Sequence, residues 1–205
     1  MGTSKIEYVK YTFNPWIGCT KASSGCANCY AKRDFGRKPQ WADCWGPGGE
    51  RKRTSEANWR KPFMWDRQAA AAGVRPRVLC GSLCDVFEDR EDLVSWRVDL
   101  QALINSTPNL DWMLLTKRPE NFSALWPCNE ASAESLITHV WVGTSVENQA
   151  AADARIPALL RIPAAKHFLS VEPMLGSVDL LFASFDGSES FQSMGGIDWV
   201  ICGGE

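Results

Sequence analysis

Short runs of near-continuous apolar residues recur along this chain, each followed by a segment of helical period, and this alternation restricts the fold more than any other feature. The runs are Arg77-Val78-Leu79-Cys80-Gly81-Ser82, Asp111-Trp112-Met113-Leu114-Leu115-Thr116, His139-Val140-Trp141-Val142-Gly143, Lys166-His167-Phe168-Leu169-Ser170-Val171 and Ile197-Asp198-Trp199-Val200-Ile201-Cys202. A β-branched and aromatic run from Ile6 to Asn14, ended by Pro15, precedes them. Strands that lose their polar alternation are covered on both faces, and helices between them supply the crossovers that parallel strands need. Helices are expected at Tyr30–Phe35, stopped by Gly36 and Pro39, at Trp59–Ala72, closed by Gly73, at Asp89–Ile104, near Pro119–Trp126 and from about Asn148 to Leu160. The pattern predicts an α/β fold with a mainly parallel sheet, and six strands match a partial, open (β/α)6 barrel. At 205 residues this is read as a single domain, 1–205. An irregular stretch at about 36–65, with Gly46-Pro47-Gly48-Gly49 at its centre, is read as an insertion.

Directly after the first strand comes Cys19-Thr20-Lys21-Ala22-Ser23-Ser24-Gly25-Cys26-Ala27-Asn28-Cys29-Tyr30, a C-x6-C-x2-C run. Gly18 and Gly25 allow the turns of a loop folded around a bulky centre. Two metal readings are open from the cysteines. Three thiolates suit a four-iron cluster with one iron free for another ligand, whereas structural zinc wants four ligands and would recruit Cys44 as the fourth.

Several stretches, Asn14-Pro15-Trp16-Ile17-Gly18-Cys19-Thr20, Gly25-Cys26-Ala27-Asn28-Cys29-Tyr30, Leu115-Thr116-Lys117-Arg118-Pro119-Glu120, Val142 to Gln149, Leu169-Ser170-Val171-Glu172-Pro173 and Asp198 to Glu205, resemble a family of phage and prophage proteins. The three-cysteine motif of that family resembles that of radical S-adenosylmethionine (SAM) enzymes. The usual superfamily spacing is C-x3-C-x2-C; the longer first gap here is shared by the family. The resemblance implies a barrel of the radical SAM type, a [4Fe-4S] cluster held by Cys19, Cys26 and Cys29, and S-adenosyl-L-methionine on the open iron. It further implies an enzyme that abstracts hydrogen from a substrate through a 5′-deoxyadenosyl radical, fed by a reductase or ferredoxin-type electron donor. The phage association suggests nucleotide or DNA base modification.

Polar residues stand just beyond the strands, where a barrel gathers its site. Ser82, Thr116, Lys117, Ser145, Asn148, Glu172 and Glu205 are the candidate cofactor-binding residues, with Lys117 or Arg118 suited to a carboxylate or phosphate. Gly203-Gly204-Glu205 resembles the glycine-glycine-glutamate motif that holds the SAM amino group, though it follows the sixth strand. Helix capping is the alternative for Ser145 and Asn148. His139 and His167 lie at amino ends of strands and read as structural.

The charge balance, 22 basic against 24 acidic residues, advertises no global field for nucleic acid or membrane. Locally, the 36–65 stretch interleaves Arg37, Lys38, Arg51, Lys52, Arg53, Arg60 and Lys61 with Trp41, Trp45, Trp59 and Trp65. Such a stretch suits phosphate contact and base stacking, or packs on its own aromatics with its charges in water. A zinc-stabilised nucleic-acid-binding protein is therefore the alternative to the enzyme. Eight cysteines without a signal peptide or an apolar run long enough for a bilayer suit a reducing cytoplasm, that of the host if the protein is phage-encoded. Cys80, Cys84, Cys128 and Cys202 read as small apolar residues. The end at Glu205, directly after a strand, reads as a short variant or a fragment.

Overall fold

The computed structural model describes residues 4–126, 136–180 and 196–203. Among the described residues there are eight strands: β1 (Tyr11–Phe13), β2 (Trp16–Ile17), β3 (Lys52–Arg53), β4 (Arg77–Cys80), β5 (Asp111–Thr116), β6 (Val140–Ser145), β7 (Lys166–Val171) and β8 (Trp199–Cys202). Six of them form one sheet in the order β1-β4-β5-β6-β7-β8, with every neighbouring pair parallel. Strand order thus follows chain order without reversal. A sheet wound in one sense sends its right-handed crossovers to one face.

The α-helices that lie wholly within the described residues include α1 (Tyr30–Phe35), α2 (Glu56–Trp59), α3 (Lys61–Ala72), α4 (Val94–Asn105), α5 (Phe122–Leu125) and α6 (Gln149–Leu159). In α3, Pro62 stands in the first turn and Gly73, at φ +63°, closes the helix in the left-handed conformation. Buried Leu100, Leu103 and Ile104 of α4 join Val78, Trp112, Leu114, Val140 and Val142 in the main core. Stacking of Tyr11 on Trp65 at 4.3 Å and the edge-on approach of Phe13 to Trp112 at 5.6 Å fasten β1 to that layer.

The opposite face of the sheet buries a second cluster of Val9, Leu79, Met113, Phe168 and Ile201. In a flat sheet β1 and β8 would stand about 24 Å apart, five strand spacings of about 4.8 Å. Yet Tyr8, just before β1, meets Trp199 of β8 with ring centroids 5.7 Å apart, and Arg77 of β4 lies 4.8 Å over the same indole. The sheet is curled upon this second cluster. Gly143 makes room for the inward ring of Phe168, whose atoms would stand 2.4 Å from a Cβ at that position.

Two expectations need correction. The first strand begins at Tyr11 rather than Ile6, because residues 5–8 turn before they can pair. The 36–65 stretch contains β3, which pairs antiparallel with β2 immediately before the cysteines, so it is anchored to the cysteine loop. No helix among the described residues is long and apolar enough to cross a membrane.

Candidate functional site at the carboxyl ends of the strands

The loops leaving β4, β5, β6 and β7 surround a cavity of about 410 Å³, and the cysteine loop closes one side of it. Cys19, Cys26 and Cys29 all line it, with Ser82, Thr116, Lys117, Ser145 and Glu172. Its apolar wall includes Leu79, Leu115 and the ring of Tyr8. The half-buried Cys29 precedes α1 and makes no side-chain capping bond.

The cysteine loop is fixed from several directions. Gly18 donates its amide to Leu83 O at 3.1 Å, and Asn14 Oδ1 accepts from Leu83 N at 2.7 Å, so the turn after β1 and the turn after β4 are tied together. Buried Arg51 then gathers three segments. Its guanidinium donates to Glu88 through Nε at 2.9 Å and Nη2 at 2.7 Å, to Thr20 Oγ1 at 2.7 Å and to Cys44 O at 2.7 Å. Thr20 N donates to the same Glu88 carboxylate at 3.0 Å. Burial alone would raise the Glu88 pKa, but bonds from Arg51 and Thr20 outweigh it and hold the carboxyl below its usual range. Arg97, itself buried, donates to Val86 O and Glu88 O at 2.9 Å each and fixes the turn that carries Glu88.

Gly25 is held against Glu147, whose Cδ would stand 2.9 Å from a Cβ on that glycine. Arg155 of α6 donates to Glu147 Oε2 and to Ser145 O, both at 2.7 Å. Burial opposes ionisation of Glu147; the adjacent Ser23 hydroxyl and Arg155 overcome it and keep the carboxyl below its usual range. The Tyr30 hydroxyl donates to Ser82 O at 2.8 Å and seals the far end of the loop.

Asp85 organises the floor. It accepts from Thr116 Oγ1 at 2.7 Å, Phe87 N at 3.0 Å, Lys117 N at 3.1 Å and Arg118 Nη1 at 2.8 Å. Arg118 also donates to Thr20 O at 2.7 Å, and its Nη1 lies 3.9 Å from Cys19 Sγ. Its charge is committed to Asp85, and its donors to the cysteine loop. Burial, then the negative charge of Asp85 and Glu88, pushes the Cys19 thiol up to about 12, with Arg118 opposing.

Two candidates are placed differently from the rest. Asn148 does not line the cavity; its Oδ1 caps α6 by accepting from Ala151 N at 2.9 Å. Glu205 lies outside the described residues, as does Cys128. Thr116 lines the cavity with its hydroxyl already shared between Asp85 and Arg118 N, and Ser82 is bonded to Asn14 Nδ2 at 3.0 Å. Two functional residues are not marked by the sequence: Tyr8, which faces the cavity from before β1, and Arg51, which is buried instead of contacting phosphate or water. Nothing in the local pattern marks Arg51 as buried; its partners Thr20 and Glu88, 31 and 37 residues away, do.

The other cysteines divide clearly. Cys80 is in the main core and Cys202 is exposed. Cys84 is buried in the main core, as expected, and also borders the cavity. Cys44 is buried with its backbone against Gly18, whose φ of +109° only glycine adopts readily, and it does not line the cavity. Among the described residues no three His, Cys, Asp or Glu side chains stand together as a ready metal-ligand group. The donor set of the cavity is nevertheless sulfur-rich. Cys26 Sγ accepts from Ala22 N at 3.5 Å, and Cys19 Sγ donates to Thr20 O at 3.1 Å with Arg118 Nη1 3.9 Å away. Cys19, Cys26 and Cys29 line the cavity together with Cys84, and Cys44 does not.

His139 and His167 are structural: Nε2 of His139 bonds Ile104 O at 3.1 Å, and Nε2 of His167 bonds Ile162 O at 2.8 Å. Several basic residues of the insertion have partners within it or on neighbouring segments. Arg53 lies 3.9 Å over the Trp59 ring and pairs with Asp99, Lys38 lies 4.6 Å over Phe35, and Lys52 donates to Gln40 O at 2.7 Å.

Fold and site together define an α/β protein with a singly wound parallel sheet and a cysteine-lined cavity at its strand ends. The family model described as "Protein of unknown function (DUF5131)" matches residues 3–205, and the chain belongs to that family. No curated protein and no solved structure gives a match.

Proposed function

We propose that the protein is a radical SAM enzyme whose cavity holds a [4Fe-4S] cluster on Cys19, Cys26 and Cys29 and S-adenosylmethionine over the strand ends of a partial (β/α)6 barrel of the radical SAM type. The observation that carries this reading is that all three motif cysteines open into one strand-end cavity while Cys44 is held outside it. When bound, a reduced cluster supplies the electron that cleaves SAM and begins hydrogen abstraction. The chain's residues then have the tasks of position and dryness. Arg51 with Glu88 and Glu147 with Arg155 hold the loop rigid, Arg118 places a cation beside Cys19, and Tyr8, Leu79 and Leu115 give the cavity a wall that excludes water. The substrate class that suits this setting is a nucleotide or a DNA base, with a ferredoxin-type or reductase donor in a reducing cytoplasm. Within the 36–65 insertion the charge of Arg51 is spent on buried Glu88 and that of Arg53 on Asp99, which leaves fewer cations for phosphate contact.

The test is anaerobic purification with iron, sulfide and zinc analysis, followed by electron paramagnetic resonance of the dithionite-reduced protein with and without SAM. About four irons per chain and a signal that SAM perturbs support the reading. Stoichiometric zinc, with no iron after reconstitution, overturns it in favour of a zinc-stabilised binding protein.

A further inference from the structure

Among the described residues, the charged groups that line the cavity are not all paired. Asp85 and Arg118 neutralise each other at 2.8 Å. Lys117, half-buried in the same cavity, is different: its Nζ donates to the neutral hydroxyl of Ser145 at 3.0 Å, and no carboxylate among the described residues lies within ion-pair distance. An ammonium carries three donors, so two remain for a ligand. Its main chain is fixed, because Lys117 N donates to Asp85 Oδ2 at 3.1 Å. Ser145 is held too, since Arg155 grips its carbonyl.

The neighbouring strand continues this polar edge. Ser145 is in register with Ser170 of β7, and the Ser170 hydroxyl donates to Glu172 Oε2 at 3.4 Å. Glu172 is in no ion pair with another described residue. The strand ends therefore run from a cation through two hydroxyls to an anion. Opposite charges along one cavity edge, neither in an ion pair with a described residue, offer a ligand that carries both signs a partner for each.

We infer that Lys117 and Ser145 form an oxyanion subsite, which takes a carboxylate or phosphate group of a bound molecule, while Glu172 receives an ammonium or hydroxyl donor from the same molecule. The shared chemistry is an anionic oxygen held by an ammonium and a fixed hydroxyl. Its source is either the carboxylate of SAM or a phosphate on the substrate. The subsite lies in the cavity of the proposed enzyme and deepens that reading, but the site is built from protein atoms and anion binding to the metal-free protein tests it separately.

The experiment is calorimetric titration of wild type, Lys117→Met, Lys117→Arg and Ser145→Ala, each first checked for native circular dichroism. Inorganic phosphate and a nucleoside monophosphate are the probes for the metal-free protein; SAM and decarboxylated SAM are the probes for the reconstituted one. Loss of a charge-assisted bond should weaken the relevant anion about tenfold or more in Lys117→Met, with partial recovery in Lys117→Arg. Weaker SAM with unchanged decarboxylated SAM assigns the subsite to the SAM carboxylate. Weaker phosphate and nucleotide with unchanged SAM assigns it to a substrate phosphate. Equal affinities of wild type and Lys117→Met for every anion, in folded protein, overturn the inference. Absence of a cluster with phosphate binding retained would sink the proposed enzyme and leave the anion subsite standing.

Discussion

Glu88 receives Arg51 through two nitrogens, Nε at 2.9 Å and Nη2 at 2.7 Å, with both side chains sealed from water. The pair joins the turn after β4 to the insertion and, through Thr20, to the cysteine loop. Breaking a buried pair from one side leaves the other charge stranded, so Arg51→Met should cost about 3–5 kcal/mol in urea unfolding at neutral pH. The sign of the pH effect follows from Glu88, whose carboxyl is held below its usual value despite burial. That contribution is complete above the unfolded-state value of about 4.3 and is lost as pH falls through the lower folded value. Wild type should therefore lose stability below that range, and Arg51→Met should lack this part of the acid limb. Identical acid limbs in the two proteins would show that the pair does not anchor the loop.

The contact of Gly25 with Glu147 carries a second prediction. A Cβ at Gly25 would lie 2.9 Å from Glu147 Cδ and 3.2 Å from its Oε1. The carboxylate cannot retreat freely, because Arg155 holds it at 2.7 Å. Gly25→Ala should push the loop away from β6 at a cost of about 1–3 kcal/mol and lower the iron retained per chain after reconstitution. Gly48→Ala is the control, since a Cβ there meets nothing within 4 Å. Equal iron retention by the two variants would argue against a fixed loop geometry as the basis of metal capture.

The contrast between these residues explains what the sequence could reveal. Strands β5 and β7 are legible because a strand covered on both faces must be apolar throughout, and runs such as Asp111–Thr116 and Lys166–Val171 carry that signal locally. The three cysteines and the strand-end residues Lys117, Ser145 and Glu172 are legible because parallel strands deliver their carboxyl ends to one place. By contrast, β2 and β3 are two residues each, and only their pairing across the insertion makes them strands. Arg51 looks like any basic loop residue until Glu88 is brought to it. Asn148 illustrates the converse case. A polar side chain before a helix serves the helix first, and here the α6 cap takes it.

Cys19 gives a prediction in the metal-free protein. Burial and the nearby carboxylates of Asp85 and Glu88 raise its thiol to about 12, so at neutral pH it carries its proton. The thiolate is the nucleophile in alkylation. The rate of iodoacetamide modification at Cys19, followed by peptide mass spectrometry, should rise about tenfold per pH unit across the mildly alkaline range without a plateau, as expected below a raised pKa. A plateau near pH 9 would show that Arg118 outweighs burial and holds the thiolate in the free protein.

Cys44 separates the two metal readings by a single substitution. A tetrahedral zinc site on Cys19, Cys26, Cys29 and Cys44 needs all four thiolates, whereas the cavity is lined by three of these and not by the fourth. Cys44 is instead a buried small residue whose carbonyl serves Arg51 and whose backbone packs on Gly18. Cys44→Ala keeps that backbone and removes one sulfur, for which a stability loss of about 1 kcal/mol is expected. Its iron content after reconstitution should equal that of wild type, while Cys19→Ala, Cys26→Ala and Cys29→Ala should each lose most of theirs. Chelator treatment should likewise bleach wild type and Cys44→Ala at similar rates, because the same three thiolates hold the metal in both. Zinc in place of iron, lost on Cys44→Ala, would mean that the loop rearranges to bring Cys44 into the cavity and that the protein is a binding module.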